Sequence, residues 1–466
     1  MRAVVVAAPA SGSGKTTVAT GLVGALRRVG HRVAPFKVGP DYIDPGYHGL
    51  AAGRPGRNLD PVLVGAQRVV PLYRHGAQGC DLAVVEGVMG LFDGRIEQDH
   101  SGPVAEGSTA QVAALLGAPV VLVVDARGHS QSLAALLHGF ATFDSGVRLG
   151  GVILNRVGSE RHDQVLRAAC DRVGLPVLGS LPRMADLEVP SRHLGLIPAV
   201  EHGAAATAAV AAMTDLVAAH VDLPAIAALA RSSVTGPAWD PAEAVRGLEG
   251  AGEISAGEEP LIAVAGGPAF TFGYAEHREL LVAAGARVVV FDPLHDELPT
   301  GTAGLVLPGG FPEEHAAELA ANSGLLRAVA EAARHGMPVH AECAGLLYLT
   351  RSLDGHPMAG VVEADAAFGP RLTLGYRDAV ALADSPLWRA GERVRGHEFH
   401  RTCLVSAPPR SPAWGWLGSA GERVREGALS GNVHASYLHT HPAGNPEAVV
   451  RFGTAAARFA SSRALG

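Results

Sequence analysis

A glycine-rich loop near the start of the chain constrains the fold most strongly. Residues 3–7 form a short apolar run, residues 9–17 read Pro-Ala-Ser-Gly-Ser-Gly-Lys-Thr-Thr, and a helical pattern follows. Strand, glycine-rich loop and helix in this order are typical of nucleotide-binding P-loops, although Pro9 occupies the usual first glycine position. The segment predicts a parallel α/β sheet with phosphates bound at its carboxyl edge.

The chemistry of this loop predicts which groups bind the nucleotide. Glycines let backbone N–H groups close around phosphate oxygens, the lysine adds positive charge at the β- and γ-phosphates, and the next hydroxyl offers a ligand to Mg²⁺. We therefore expect ATP as a co-substrate and Mg²⁺ as its cofactor. The predicted ATP-binding residues of the loop are Gly12, Ser13, Gly14, Lys15, Thr16 and Thr17.

The first half of the chain alternates short β-branched runs with longer Ala- and Leu-rich segments. Strands that are apolar on both faces and separated by helices indicate a parallel sheet covered on both sides. The predicted strands are 3–7, 32–36, 82–85, 120–124 and 151–154, and the predicted helices are 15–29, 108–116, 131–140 and 160–173.

A second strand and helix alternation follows a stretch rich in Gly, Ser and Glu. We interpret residues 223–259 as a linker between an ATP-binding domain, 1–222, and a second domain, 260–466. Each segment is long enough for its own core. The predicted fold class is α/β, with two doubly wound, mainly parallel-sheet domains. The predicted strands of the second domain are 261–265, 286–291, 304–307 and 338–340.

Charged residues follow two strands of the first domain at their carboxyl ends. A P-loop needs acidic partners for Mg²⁺, and Glu86 ends an apolar strand where such a residue is expected. Lys37 and Asp44 lie in the loop after the second strand, and Asp93 lies in the glycine-rich loop after Glu86. We predict that Thr16, Glu86 and Asp44 bind metal and that Lys37 binds phosphate. Asp44 and Asp93 are also candidates for contact with the substrate.

A cysteine in the second domain has the sequence context of a nucleophile. Residues 337–347 read as a strand, a tight turn at Cys343 and a helix, so the thiol lies at a strained corner. We expect the helix N-terminus to lower the thiol pKa and, with Ala344, to help bind an oxyanion. Gly309 and Gly310 end another strand and complete this predicted oxyanion hole. His439, near the C-terminus, can take the thiol proton.

Composition and charge argue against several other classes of protein. The chain has 466 residues, 48% hydrophobic and 18% charged, with a net charge of −7 and no basic block typical of nucleic-acid binding. The four cysteines are scattered and lack metal-ligand spacing, so we interpret them as reduced thiols of a cytoplasmic protein: Cys80, Cys170, Cys343 and Cys403. No export signal or membrane helix is visible, so we expect a cytoplasmic protein without a nucleic-acid or membrane partner. The sequence leaves homodimerisation open.

Four segments of the first half resemble the cobyrinic and hydrogenobyrinic acid a,c-diamide synthases: 8–17, 36–45, 57–60 and 85–94. This half is more distantly similar to dethiobiotin synthetase, whose fold converts a carboxylate to an acyl phosphate with ATP. The resemblance implies that Asn155 contacts the adenine and that Arg192 lies near the acidic substrate. Asn155 at the end of a strand and Arg192 as a surface charge are equally compatible with the sequence.

The second half resembles the class I glutamine amidotransferase domain in the variant found in cobyrinic and cobyric acid amidating enzymes. The resemblance assigns Cys343 as nucleophile and His439 as base. Most class I members carry a glutamate two residues after that histidine, where this chain has His441. We therefore predict a catalytic dyad, and we interpret 374–377 and 395–400 as scaffold.

Together the resemblances imply a ligase that forms C–N bonds, using ATP and L-glutamine to amidate the a and c carboxylates of cobyrinic or hydrogenobyrinic acid in cobalamin biosynthesis. Ammonia is mostly protonated at neutral pH, so we expect a closed path for it between the two sites. Nickel-sirohydrochlorin a,c-diamide synthase and cobyric acid synthase are the alternative enzymes. Residues 38–44 lack the Gln-Asn-Met segment of cobyric acid synthase, and Ala10 replaces the early lysine of partitioning ATPases, a different class.

Overall fold

The computed structural model describes residues 1–96, 102, 104–144, 146–183, 191–192, 195–248, 254, 259–405 and 410–464. The chain divides into two compact units, Met1–Trp239 and Asp240–Gly466. Within the described ranges, no helix is long and apolar enough to cross a membrane. Residues 249–253 and 255–258 of the predicted linker lie outside the described residues, and the predicted domain limits stay a prediction.

The first unit is built on a seven-stranded sheet in the order β3-β2-β4-β1-β5-β6-β7, in which every pairing is parallel. After Arg2 the central strand β1 is apolar, and Ala3, Val4, Val5 and Val6 are completely buried. The strands of this unit are β1 (Arg2–Ala7), β2 (Val33–Val38), β3 (Arg57–Leu59), β4 (Leu82–Glu86), β5 (Val120–Asp125), β6 (Leu149–Val157) and β7 (Val177–Pro182), with a separate antiparallel pair, β8 (Ser191–Arg192) and β9 (Gly195–Leu196).

Helices of this unit connect and cover the strands. The helix after the P-loop packs closely on the long helix α9, since an added Cβ at Gly21 would lie 2.4 Å from the Met213 carbonyl oxygen. The helices are α1 (Lys15–Arg28), α2 (Asp44–Ala52), α3 (Pro61–Val64), α4 (Ala66–Gly76), α5 (Thr109–Leu116), α6 (Leu133–Thr142), α7 (Glu160–Asp171), α8 (Ala199–His202), α9 (Ala204–His220) and α10 (Leu223–Leu229). Every strand and helix predicted in this half is present within a few residues of its expected bounds.

The second unit contains a six-stranded sheet in the order β11-β10-β12-β13-β21-β20. Its first four pairings are parallel, and only β20 runs antiparallel to its neighbour. The four predicted strands of this half correspond to β10 to β13, so the α/β prediction is confirmed. The strands are β10 (Leu261–Ala265), β11 (Arg287–Phe291), β12 (Thr302–Leu307), β13 (Val339–Glu342), β20 (Ala428–Ser430) and β21 (Val433–Ser436).

A largely antiparallel sheet completes the second unit and was not anticipated from the sequence. Its order is β15-β14-β16-β17-β22, and β18 and β19 extend it from β16. The strands are β14 (Ser352–Leu353), β15 (His356–Pro357), β16 (Asp365–Ala381), β17 (Arg393–Leu404), β18 (Trp414–Leu417), β19 (Arg423–Glu426) and β22 (His439–Thr440). The helices of the unit are α11 (Pro241–Val245), α12 (Ala275–Ala283), α13 (Ala316–Ala321), α14 (Ser323–Arg334), α15 (Ala344–Leu349) and α16 (Pro446–Ala464).

Candidate active sites

Three neighbouring strands of the first unit end at the predicted nucleotide site. In the parallel register, Glu86 of β4 is opposite Val6 of β1 on one side and Lys37 of β2 on the other. The P-loop follows β1 directly. The carboxyl ends of parallel strands meet at one sheet edge, so the loop, Lys37 and Glu86 are brought together by strand order alone.

The P-loop has the backbone that its glycines allow. Gly12 and Gly14 have φ of 78° and 94°, in the region that favours glycine. Asn155, at the end of β6, donates from its side-chain amide to the Ser13 carbonyl at 2.9 Å. An added Cβ at Gly14 would lie 2.2 Å from that amide nitrogen. Asn155 therefore supports the loop, and its predicted contact with adenine stays a prediction.

The two lysines at this site are the only lysines in the sequence. Lys15 donates from Nζ to the Met89 carbonyl at 2.5 Å. Burial, together with the nearby charge of Lys37, lowers the pKa of Lys15 to about 8. A compact ammonium group binds phosphate as a point charge, whereas arginine serves as the basic residue everywhere else in the chain.

Lys37 lies between two buried carboxylates. Its Nζ is 2.5 Å from Asp44 Oδ2 and 2.8 Å from Glu86 Oε1, and the Lys37 and Glu86 side chains are 5% and 1% exposed. Burial alone favours the neutral amine, but the two carboxylates outweigh it and raise the pKa of Lys37. Conversely, burial and the charge of Asp41 raise the pKa of Asp44 to about 7.

The hydroxyl of Thr16 joins the same cluster. Its Oγ1 donates to Glu86 Oε1 at 2.7 Å and lies 3.2 Å from Asp44 Oδ2, so the three residues predicted to bind metal converge. Mg²⁺ prefers oxygen ligands and is commonly bound by one or two carboxylates plus phosphate oxygens and water. The oxygens of Thr16, Asp44 and Glu86 fit this ion. In the described part of the chain, no three His, Cys, Asp or Glu side chains enclose a metal on their own.

A histidine that was not predicted from the sequence supports the cluster. His48 of α2 is buried, and its Nε2 lies 2.6 Å from Glu86 Oε2. Burial opposes ionisation of Glu86, but Lys37 and His48 outweigh it and lower the pKa of the carboxyl group. His48 is one helical turn after Asp44, and this spacing was the only sequence signal that could have pointed to it.

The remaining predicted residues of the first unit differ in their placement. Asp93 accepts from the Gly90 backbone N–H at 2.9 Å and so closes the turn after β4. Arg192 belongs to the short strand β8, but its side chain lies outside the described part of the structure, as do residues 193 and 194. Their predicted contacts with substrate stay predictions.

In the second unit, Cys343 occupies the predicted strand-to-helix corner. Its φ and ψ are 48° and −97°, a conformation that is strained for any residue with a side chain. The Cys343 N–H donates to the Ser436 carbonyl at 2.7 Å, which ties the corner to the end of β21. A buried cysteine with strained backbone between a strand and a helix has the geometry of a nucleophile elbow.

Close packing explains the glycines around this corner. An added Cβ at Gly309 would lie 2.4 Å from His439 Cε1, and one at Gly310 would lie 2.1 Å from the Ala269 carbonyl oxygen. Gly345 is restricted in the same way by the Leu307 carbonyl oxygen, at 2.2 Å. The glycines thus bring the loop after β12, the histidine and the helix of the elbow close together.

The expected lowering of the thiol pKa was wrong. Burial is the main cause that raises the pKa of Cys343 well above its ordinary value, and the negative charges of Glu313, Glu342 and Glu398 add to it. The hydrogen bond from the Ala344 N–H acts in the opposite direction but is outweighed. The local sequence indicates the N–H donor at the start of the helix but not the depth of burial, which decides the direction of the pKa shift.

His439 is completely buried and lies beside Glu342, a carboxylate that is not among the predicted site residues. Glu342 Oε2 is 3.5 Å from His439 Nδ1. His441 stands at the position where most class I members carry glutamate. Its Nδ1 accepts from the Ala443 N–H at 3.2 Å, and its ring packs on Tyr274 with 4.0 Å between centroids.

The two segments interpreted as scaffold contribute a polar network to the second unit. Arg377 donates from Nε to Glu398 at 2.6 Å, and the Glu398 carboxylate lies 3.6 Å from His400 Nε2. The His400 ring stacks on Tyr437 with 3.8 Å between centroids and 9° between planes. β16 and β17 carry this network to the vicinity of Cys343, where Glu398 contributes to the thiol pKa.

The folds and their polar sites define a class: a P-loop nucleotide-binding unit joined in one chain to a glutamine amidotransferase unit. Residues 4–197 match the CobQ/CobB/MinD/ParA nucleotide binding domain, and residues 261–446 match the CobB/CobQ-like glutamine amidotransferase domain.

Curated relatives narrow this class to one family. Hydrogenobyrinate a,c-diamide synthase from Mycobacterium tuberculosis is 63% identical over 450 residues, which cover 97% of both chains. The enzyme of the same name from Streptomyces coelicolor is 57% identical, and the match covers 96% of both chains. Cobyrinate a,c-diamide synthase from Gloeobacter violaceus is 42% identical, and the match covers 94% of this chain and 93% of the relative. The chain belongs to the cobyrinate and hydrogenobyrinate a,c-diamide synthase family, as the sequence motifs had indicated.

Proposed function

We propose that this protein amidates the a and c carboxylates of hydrogenobyrinic acid, with ATP as the activating nucleotide and L-glutamine as the nitrogen donor. The observation that supports the proposal is that one chain of this family combines a P-loop beside a buried lysine–carboxylate cluster with a cysteine elbow. We favour hydrogenobyrinate over cobyrinate as the substrate, because the relatives at 63% and 57% identity are named for hydrogenobyrinate, whereas the relative named for cobyrinate is 42% identical.

In the first unit, a substrate carboxylate attacks the γ-phosphorus of ATP, giving an acyl phosphate and ADP. Backbone N–H groups of residues 12–17 and the Lys15 ammonium hold the phosphates and offset the charge that is transferred. Thr16, Asp44 and Glu86 would hold Mg²⁺, which supplies charge neutralisation at the phosphate oxygens. Lys37 keeps the two carboxylates together in one orientation.

In the second unit, the Cys343 thiolate attacks the side-chain amide of glutamine after His439 takes the thiol proton. The tetrahedral oxyanion is held by backbone N–H groups at Gly310 and Ala344, and its collapse releases ammonia and leaves a glutamyl thioester. Water then hydrolyses the thioester to glutamate. Ammonia attacks the acyl phosphate, and the amide and inorganic phosphate are the products.

Incubation with Mg-ATP and amide-¹⁵N glutamine tests the proposal. Hydrogenobyrinic acid and cobyrinic acid are supplied in separate reactions, and the corrin is followed by mass spectrometry. We expect incorporation of two ¹⁵N atoms into hydrogenobyrinic acid at a higher kcat/KM than into cobyrinic acid. Glutamine hydrolysis without ¹⁵N incorporation into either corrin would contradict the proposed substrate.

Isotope transfer tests the acyl phosphate step by itself. If the carboxylates of the corrin carry ¹⁸O, one labelled oxygen should appear in inorganic phosphate for each amide formed, because the acyl phosphate breaks at its carbon–oxygen bond. Unlabelled phosphate with complete amidation would exclude this intermediate.

A further inference from the structure

The carboxylate beside the catalytic histidine comes from an unexpected place in the sequence. Glu342 is the last residue of β13 and directly precedes Cys343. Because neighbouring residues in a strand point to opposite faces, a residue before a nucleophile is usually directed away from the reacting groups. The strained backbone of Cys343 breaks this alternation, and Glu342 Oε2 approaches His439 Nδ1 to 3.5 Å.

The second oxygen of this carboxylate is held by its surroundings. Glu342 Oε1 accepts from both the N–H and the hydroxyl of Thr440, each at 3.1 Å, and it lies 3.3 Å from His340 Nε2. Burial opposes ionisation, but hydrogen bonds from His340 and His439 outweigh it and lower the pKa of Glu342. A carboxylate fixed through one oxygen presents the other in a constant direction.

The orientation of the imidazole is consistent with a proton acceptor. When Nδ1 faces a carboxylate, Nε2 is the nitrogen that remains for the thiol, as in serine and cysteine triads. Gly309 packs against the ring edge so closely that no side chain fits there. The 3.5 Å separation is long for a hydrogen bond, but such bonds commonly shorten when substrate binds.

We propose that Glu342 is the third member of the glutaminase site, a positioning residue that orients His439 and stabilises its imidazolium. When the proton of the Cys343 thiol moves to His439 Nε2, Glu342 stays ionised and offsets the new positive charge. That proton then leaves with the ammonia. The inference replaces the predicted dyad by a triad, and it rests on the proposed glutaminase function of the second unit but not on the corrin substrate.

The test uses Glu342→Gln, which keeps the shape of the side chain and removes its charge. We expect kcat for glutamine hydrolysis to fall at least about 100-fold, on the scale seen when a triad loses its carboxylate, with KM for glutamine within about threefold. Amidation from added ammonium salt should be retained, which shows that the protein is folded. Full glutaminase activity, or a change in KM alone, would overturn the proposal.

A double-mutant cycle separates a role through His439 from a general structural role. If Glu342 acts through the imidazole, Glu342→Gln should have almost no further effect in a His439→Ala background. Losses that multiply in the double variant would overturn the proposal. Glu342→Asp retains the charge, so its kcat for glutamine hydrolysis is expected to be about tenfold or more above that of Glu342→Gln. Equal kcat values of these two variants would contradict a role of the charge.

His441→Asn is the matched control, because it changes the residue at the position where class I members carry glutamate. Asparagine can still accept from the Ala443 N–H, as His441 does. Glutaminase activity within about threefold of the parent protein is expected, because asparagine keeps the hydrogen bond that His441 accepts from Ala443. A loss as large as that of Glu342→Gln would assign the orienting role to His441 and overturn the proposal. Glutamine hydrolysis is measured without a corrin, so an error in the corrin assignment leaves this outcome unaffected.

Discussion

The pairing of Lys37 with two buried carboxylates leads to a prediction about stability. Lys37→Met keeps a long side chain but leaves Asp44 and Glu86 in the interior without their shared cation. Removal of one partner from a buried charge pair costs about 3–5 kcal/mol. We expect the free energy of unfolding of the first unit to fall by this amount, which is at least about a fifth of the total stability of an ordinary domain.

Arg28→Met provides the control. Arg28 pairs with Asp215 at 2.7 Å, but the two side chains are 53% and 67% exposed, and an exposed pair contributes only about 0.2–1 kcal/mol. The assay is urea unfolding read by pulsed hydrogen–deuterium exchange in peptides from residues 2–86, so that the first unit is followed separately from the second. Equal losses of unfolding free energy in the two variants would contradict a stabilising role of the buried charge cluster.

The pH dependence gives this prediction a second check. A carboxyl group whose folded pKa is above its unfolded pKa favours the folded state more as pH falls through the folded value. The pKa of Asp44, raised by burial and Asp41, is already about 7 with Lys37 present, and removal of the lysine raises it further. The penalty of Lys37→Met should therefore shrink as pH falls towards about 7 from the alkaline side, because in that range Asp44 is protonated in the variant but still ionised in the parent protein. A loss of unfolding free energy that does not change with pH would indicate that the variant lost packing contacts, not that it left a charge unpaired.

Three further predictions concern reactivity at the two sites. Gly310→Ala should lower glutaminase kcat at least about tenfold by displacing the oxyanion corner, whereas Gly324→Ala, with no atom within 4 Å of its added Cβ, should leave kcat unchanged. Amine acylation near pH 8, mapped by mass spectrometry, should modify Lys15 well before Lys37, because the pKa of Lys15 is about 8 and that of Lys37 is raised. Mg-ATP should protect Lys15, and faster reaction of Lys37 would contradict the assigned pairings. Iodoacetamide should alkylate Cys343 about tenfold faster for each pH unit between about 7 and 9, because burial raises the pKa of its thiol, and a flat profile would instead indicate a preformed thiolate–imidazolium pair.

Much of the architecture is predictable because its signals are local. The P-loop and the Cys343 corner depend on runs of a few residues with defined backbone requirements, and both are where the sequence placed them. The antiparallel sheet was missed because β16 extends over 17 residues that include Gly369, Pro370 and Gly375, which are typical of turns.

The missed features of the sites depend on contacts between distant parts of the chain. Glu342 reaches His439 across 97 positions in the sequence only because β13 and β21 are paired in register. The direction of the thiol pKa depends on burial, and local motifs carry no information about the depth at which a residue is buried. The shared neutralisation of Asp44 and Glu86 likewise requires β2 and β4 to be neighbours in the sheet, which single-sequence patterns do not determine.

The central claim is that one chain combines a glutaminase with an acyl-phosphate amidoligase, and Cys343→Ser tests it most directly. The variant, with Cys403→Ser as a control at an exposed thiol, is assayed for amidation of hydrogenobyrinic acid with Mg-ATP and either glutamine or an ammonium salt. We expect Cys343→Ser to lose glutamine-dependent amidation and to keep ammonium-dependent amidation, while Cys403→Ser keeps both. Glutamine-dependent amidation that survives Cys343→Ser, or loss of both activities in a folded variant, would contradict the central claim.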